Sequence, residues 1–179
     1  MQHLVLIPFF LLIAGLTVTA IVLQGGLDKT FSQRVANNKS AEILYSLLFI
    51  VTLPLLYLFF AAWFVPEKDV NKLFLLFAAT AVVFQIACTF VPERGAKMTV
   101  VHRILTGISG VALLPLVLII AISSNLIHEI KFIAWVCLAG MCALLAVALS
   151  NQKEFKYALL LQIGYYGLFF GVILVATYA

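Results

Sequence analysis

A chain of 179 residues that is 65% hydrophobic and only 10% charged, with a mean hydropathy of +1.18, cannot supply the polar surface of a soluble domain. Its formal net charge of +4 is not gathered into a basic domain, which argues against nucleic acid as a partner. A modest basic excess of this kind suits loops facing anionic membrane lipid.

The charges are segregated along the chain. No Asp, Glu, Lys or Arg occurs in Leu4–Gln24, Ile43–Val65, Leu73–Val91, Ile104–Ile127, Phe132–Ser150 or Tyr157–Tyr178. Roughly 20 helical residues cross a hydrocarbon core of about 30 Å. Backbone groups in lipid must find partners within their own segment, so runs of this kind have to be helices. The expectation is an all-α bundle of six transmembrane helices forming one domain over residues 1–179. The first run is expected to be retained rather than cleaved as a signal peptide, because only Met1, Gln2 and His3 precede it and its apolar stretch is too long.

Between the first two runs lies the longest connection, Gly25–Glu42. Leu27, Phe31 and Val35 recur there at a spacing of four, with Lys29, Gln33 and Arg34 elsewhere on the same wheel. That pattern predicts a short amphipathic helix lying in the headgroup region. Pro66 and Pro92 end the second and third spans, whereas Pro54 and Pro115 sit inside the second and fourth, where kinks are expected. The fifth span carries Ala139, Gly140, Ala143 and Ala146, and the sixth Gly164, Gly167 and Gly171. Such stripes allow close helix approach within the bundle and, secondarily, a homo-oligomer or a partner membrane protein. Cys88, Cys137 and Cys142 all fall in apolar runs with no C-x-x-C pair, so buried apolar cysteines are expected.

Orientation follows from the basic residues. Lys29, Arg34, Lys39, Arg94, Lys97, Arg103, Lys153 and Lys156 follow the first, third and fifth spans, against Lys68, Lys72 and Lys131 on the other side. The first set is expected in the cytoplasm, with both termini on the far side of a plasma (inner) membrane.

Candidate chemistry is sparse. Pumps and ion transporters keep ionisable groups inside the bundle; here the deep polar groups are Thr52, Thr80, Gln85, Thr106, Ser109, Gln162, Tyr165 and Tyr166. Gln85 and Gln162 are the costliest to face lipid and are expected to hydrogen-bond across helices. A sharper alternative makes Gln85, Ser109, Gln162, Tyr165 and Tyr166 the polar lining for one amphiphilic ligand. No cofactor or metal is expected: His102 and His128, taken as the two ends of the fourth span, would stand roughly 39 Å apart, too far to share a haem. Gly107-Ile108-Ser109-Gly110 has the G-x-S-G form of rhomboid intramembrane proteases. The histidine base of that family is missing, with glycine in its place in Gly164-Tyr-Tyr-Gly167-Leu-Phe-Phe-Gly171. The motif therefore reads as close helix packing.

The turn between the third and fourth spans gathers Glu93, Arg94, Lys97, His102 and Arg103 at a membrane surface. Positive charge and a helix N-terminus near His102 would suit a lipid headgroup phosphate, and Glu93 could pair with Arg103 or orient His102. An ordinary basic loop that only sets topology is the bland reading. Phe90-Val91-Pro92, a short polar turn, His102 opening the next helix and the later Leu114-Pro115-Leu116 resemble the bacterial membrane family catalogued as domain of unknown function 998. A more distant likeness is to the Frag1/DRAM/Sfk1 group. The resemblance implies six spans and a site at this turn, without an activity. The expected function is non-enzymatic binding of a membrane lipid or amphiphile; an intramembrane hydrolase or lipid-modifying enzyme, and a small transporter or transporter subunit, are the rivals.

Overall fold

The computed structural model describes residues 2–23, 25–36, 38–150 and 156–179, so Gln24, expected to end the first span, and Lys153 of the basic tally lie outside the described residues. Every described element is helical. A 3-10 turn, Gln2–Val5, leads into α1 (Leu6–Val22). Then come α2 (Phe31–Val35), α3 (Lys39–Glu67), α4 (Leu73–Thr89), α5 (Gly95–Ile122), α6 (His128–Ser150) and α7 (Ala158–Tyr178). By length and composition α3, α5, α6 and α7 can each cross a membrane; α1 and α4 are shorter apolar helices of 17 residues.

Local chemistry explains where the elements start. Thr30 and Gln33 form a reciprocal capping box at α2: Thr30 Oγ1 accepts from the Gln33 amide at 3.3 Å, and Gln33 Oε1 accepts from the Thr30 amide at 3.0 Å. Asn38 Oδ1 caps α3 through the Ala41 amide, and Asn71 Oδ1 takes the Leu73 amide ahead of α4. Pro92 and Gly95, the latter at φ +68°, turn the chain into α5. Near the end of α3 the ladder widens over Phe60–Phe64, where the Val65 amide reaches back to Phe60, just ahead of Pro66, which has no amide to give.

α4 packs against α5, α5 against α6 and α6 against α7, while α1 and α4 both pack on α3. His3 and Tyr178 meet at 3.3 Å, and Phe9 of α1 touches Phe170 of α7, so the first and last helices adjoin. The core runs through Phe60, Phe64 and Phe74 on one side and Leu116, Ile120 and Ile173 on the other. At the end that holds the termini, Asn125 Nδ2 donates to the Asp69 carboxylate at 2.7 Å and ties the α3–α4 and α5–α6 turns together.

Several expectations change. Helix α5 runs over Gly95–Ile122 rather than 104–127. Charges mark where a chain leaves hydrocarbon, but a helix continues into the headgroup region as long as its backbone bonds are satisfied. His102 therefore sits two turns inside α5, and His128 opens α6 rather than closing α5. Thr52 and Thr80 return their hydroxyls to their own helix, at Leu48 O and Leu76 O. A Cβ added at Gly107, Gly110, Gly167 or Gly171 would meet open space, so no neighbouring helix requires glycine there. The tight contacts of α6 and α7 are Gly140 against Leu168 and Gly164 against Leu144.

The segment leading to α3 differs most. Leu27 is exposed and lies outside α2, while Phe31 and Val35 are buried against α1 and α3. Arg34, expected away from the Leu27, Phe31 and Val35 face of the wheel, is 7% exposed. Its guanidinium donates to Ala20 O at 3.0 Å, Leu23 O at 3.2 Å, Gly26 O at 2.8 Å and Lys29 O at 3.4 Å. Ala20 and Leu23 stand at the end of α1, where carbonyls run out of helical donors, so Arg34 caps α1 and clamps α2 beneath it. A hydrogen bond to a charged group contributes about 1.5–3 kcal/mol. Arg34→Ala should therefore destabilise the detergent-solubilised protein by at least about 2 kcal/mol, read as a lower unfolding temperature. Arg34→Lys should recover only part of this, since a point ammonium cannot reach several carbonyls at once.

Candidate functional site

The α2 end of the bundle collects the turn residues into a network. Glu93, whose side chain is 6% exposed, accepts from Gln33 Nε2 at 3.0 Å and Ser32 Oγ at 3.4 Å, and pairs with Arg103 Nε at 3.3 Å. A buried carboxylate is costly unless its lone pairs are filled; here three donors fill them. Arg94 lies 2.8 Å from Glu42, an ion pair approached off the hydrogen-bond direction, and its Nε donates to Ala36 O. Both arginines of the turn are thus matched to carboxylates, and Arg94 is largely committed to α2 and α3. Arg103 remains 62% exposed on its side chain, and Lys97 is exposed.

His102 is buried, and its Nδ1 lies 2.6 Å from Val91 O. A carbonyl only accepts, so Nδ1 carries the proton, and in the neutral ring Nε2 is left as an acceptor. This side chain lines a small cavity of about 20 Å³ with Ser32, Glu42, Tyr45, Thr89 and Glu93. The helix N-terminus expected beside His102 is at Gly95 instead, and no side chain caps it. The turn residues do converge, but around His102 and Glu93 rather than on an open helix end.

Above this network, between α1, α3, α4, α5 and α7, lies a larger cavity of about 60 Å³. On this measure a single water needs about 10–15 Å³, so the space admits part of a chain rather than a whole lipid. Leu12, Phe49, Leu53, Leu113, Leu116 and Phe169 form its apolar wall. Tyr45, Gln85, Gln162 and Tyr166 supply polar groups, with Ser109 on one side. Tyr45 lines both cavities and stands between them. Gln85 lies about one turn from the end of α4 and Gln162 about one turn into α7, so the glutamines sit at the α2 end of the cavity.

Gln162 Oε1 accepts the Phe31 amide at 3.2 Å, which fixes the orientation of its amide, and Tyr166 Oη donates to Gln85 Oε1 at 3.4 Å. Four of the five deep polar residues singled out from the sequence therefore line one space. Tyr165 does not: its hydroxyl donates to Gly110 O at 2.8 Å. Sequence reasoning missed Ser32, Gln33, Glu42 and Tyr45, although Thr30-x-x-Gln33 is a legible capping box that would have placed a helix start there. Among the described residues no three of His, Cys, Asp and Glu gather to hold a metal.

Ser109 is 2% exposed and its Oγ donates to Ala81 O at 2.9 Å. The hydroxyl is committed to a helix–helix contact with no base beside it, so the serine lacks the partner an acylating nucleophile needs. No protein-family model, curated protein or solved structure matches the chain. Ser109 should stay unlabelled by a fluorophosphonate probe, and Ser109→Ala should cost no more than about 1 kcal/mol, one neutral hydrogen bond. Stoichiometric labelling would restore the hydrolase reading.

Proposed function

We propose that this chain is a six-span protein of the plasma (inner) membrane that binds one lipid or other amphiphile. Part of its apolar chain occupies the cavity between the helices, and its polar end lies toward the turn between α4 and α5. The observation that carries this reading is an almost wholly apolar cavity between the helices whose amide-bearing residues lie toward the α2 end. Its wall is aliphatic and aromatic, its amide and phenol groups cluster at the α2 end, and Tyr45 leads on to the recess of His102 and Glu93. A membrane amphiphile has the same gradient. Arg103 and Lys97, exposed beside that recess, suit an anionic headgroup at the surface. Arg94, held by Glu42 and Ala36 but with its side chain 48% exposed, lies beside them.

Six spans rest on the two shorter helices as well as the four long ones. At 17 residues α1 and α4 reach about 26 Å, and the 3-10 turn Gln2–Val5 lengthens α1 toward the hydrocarbon thickness. The resemblance of Phe90-Val91-Pro92 and His102 to the domain of unknown function 998 family agrees with this layout. The basic excess at the α2 end supports a cytoplasmic location for that end by the positive-inside rule.

Orientation is read with single cysteines in a background where Cys88, Cys137 and Cys142 are alanine. Asn71→Cys and Ser124→Cys should react with an impermeant thiol reagent in intact cells, and Ser40→Cys and Ala96→Cys only after lysis; the opposite pattern inverts the topology. Ligand binding is read by native mass spectrometry of protein extracted with its lipids. The wild type should retain a bound amphiphile, and Val82→Phe, which fills the cavity wall, should retain no more than about a third as much with little change in unfolding temperature. Equal retention in the two proteins would remove the cavity as the binding site.

A further inference from the structure

Gln162 gives its oxygen to the Phe31 amide and Gln85 gives its oxygen to the Tyr166 hydroxyl, so both amides turn their NH2 groups away from those bonds. Neither Nε2 has a hydrogen-bond partner among the described residues, and both side chains line the same cavity. Gln85 is 7% exposed, more than nine-tenths buried. An amide donor without a partner in such surroundings is unfavourable, and an acceptor on a ligand would relieve it.

The acceptor is constrained by what else lines the space. Among the described residues no charged side chain does, so an anion there would lose its hydration without a counter-ion, and a cation would face amide donors. A neutral oxygen attached to an apolar chain fits both the donors and the wall. Lipid tails are already as apolar as leucine, so moving a chain from the bilayer into the cavity gains little and cannot select a ligand. Selection has to come from the polar contact.

We propose that Gln85 and Gln162 form a carbonyl-binding site for a long-chain acyl group, with the acyl oxygen at the α2 end and the chain running toward Leu113 and Phe169. This rests on the cavity reading above and names the chemistry it selects. The carbonyl can come from a protonated fatty acid or from a glycerolipid ester.

The test compares palmitic acid, monopalmitoylglycerol and hexadecane, each radiolabelled, on the full chain in nanodiscs. At least one of the two carbonyl ligands should bind about tenfold more tightly than hexadecane, the equivalent of one to two hydrogen bonds, and the tighter of them identifies the source. Gln85→Met, close in shape but without the donor, should remove that advantage and leave hexadecane binding unchanged. Unfolding temperatures are read in the same samples, and Gln162→Met carries the test if Gln85→Met does not fold. If neither carbonyl ligand outbinds hexadecane, or the advantage survives both variants, the carbonyl site is wrong, while a loss of hexadecane binding in Val82→Phe would still uphold the cavity. If nothing binds, or Val82→Phe changes nothing, the cavity reading fails and the carbonyl site with it.

Discussion

Arg34 meets a need that α1 creates. A helix ends with carbonyls that have no amide a turn ahead, and in a bundle of this composition there is little water to take them. The guanidinium reaches four carbonyl oxygens, those of Ala20, Leu23, Gly26 and Lys29, and in doing so pulls α2 under the end of α1. Phe31 and Val35 then turn inward, and the Phe31 amide comes within reach of Gln162 on α7. Ser32 and Gln33 face Glu93, whose burial depends on them. One buried cation thus sets the position of the segment that closes the bundle at this end and links α1, α4, α5 and α7.

The two cavities inherit their character from that arrangement. Where α2 meets the turn after α4, carboxylates and guanidinium groups lie in matched pairs, so the recess around His102 is polar without a strong field of one sign. Deeper in, no charged side chain among the described residues lines the space, and amide and phenol groups lie toward one end of an aliphatic and aromatic wall. Tyr45, buried on α3 and common to both, joins a polar recess to an apolar chamber. Along this gradient Glu93 and Ser109 are hydrogen-bonded, whereas the glutamine NH2 groups, the Tyr45 hydroxyl and one Glu42 oxygen have no hydrogen-bond partner among the described residues.

Much of this site was legible as an exception to its surroundings. Gln85, Ser109, Gln162 and Tyr166 stand out in apolar runs because a polar group there has to find a partner, and the structure collects them around one space. Tyr165 met the same criterion but its hydroxyl turns to Gly110 on α5, since neighbouring positions on a helix point about 100° apart. Gly107 and Gly110 looked like a close contact by pattern, yet the contacts fall at Gly140 and Gly164. Which glycine meets a neighbour depends on helix rotation, which composition does not encode. Arg34 and Arg94 counted as loop charges in a tally of basic residues, and both prove to be hydrogen-bonded to backbone carbonyls.

The sequence by itself determined the all-helical class, because long uncharged apolar runs leave the backbone no other way to satisfy its own groups. It also determined, to within a few residues, where most helices lie, and the approximate set of polar side chains that need partners. The start of α5 at Gly95, the inward turn of Phe31 and Val35, the carbonyl partners of Arg34 and the pairing of Glu93 with Gln33 were decided only by the tertiary structure. Each of these joins residues far apart in the chain, or depends on how one helix is rotated and raised against the next. A run of apolar residues looks the same whichever face it turns inward, and only the packed neighbours choose that face.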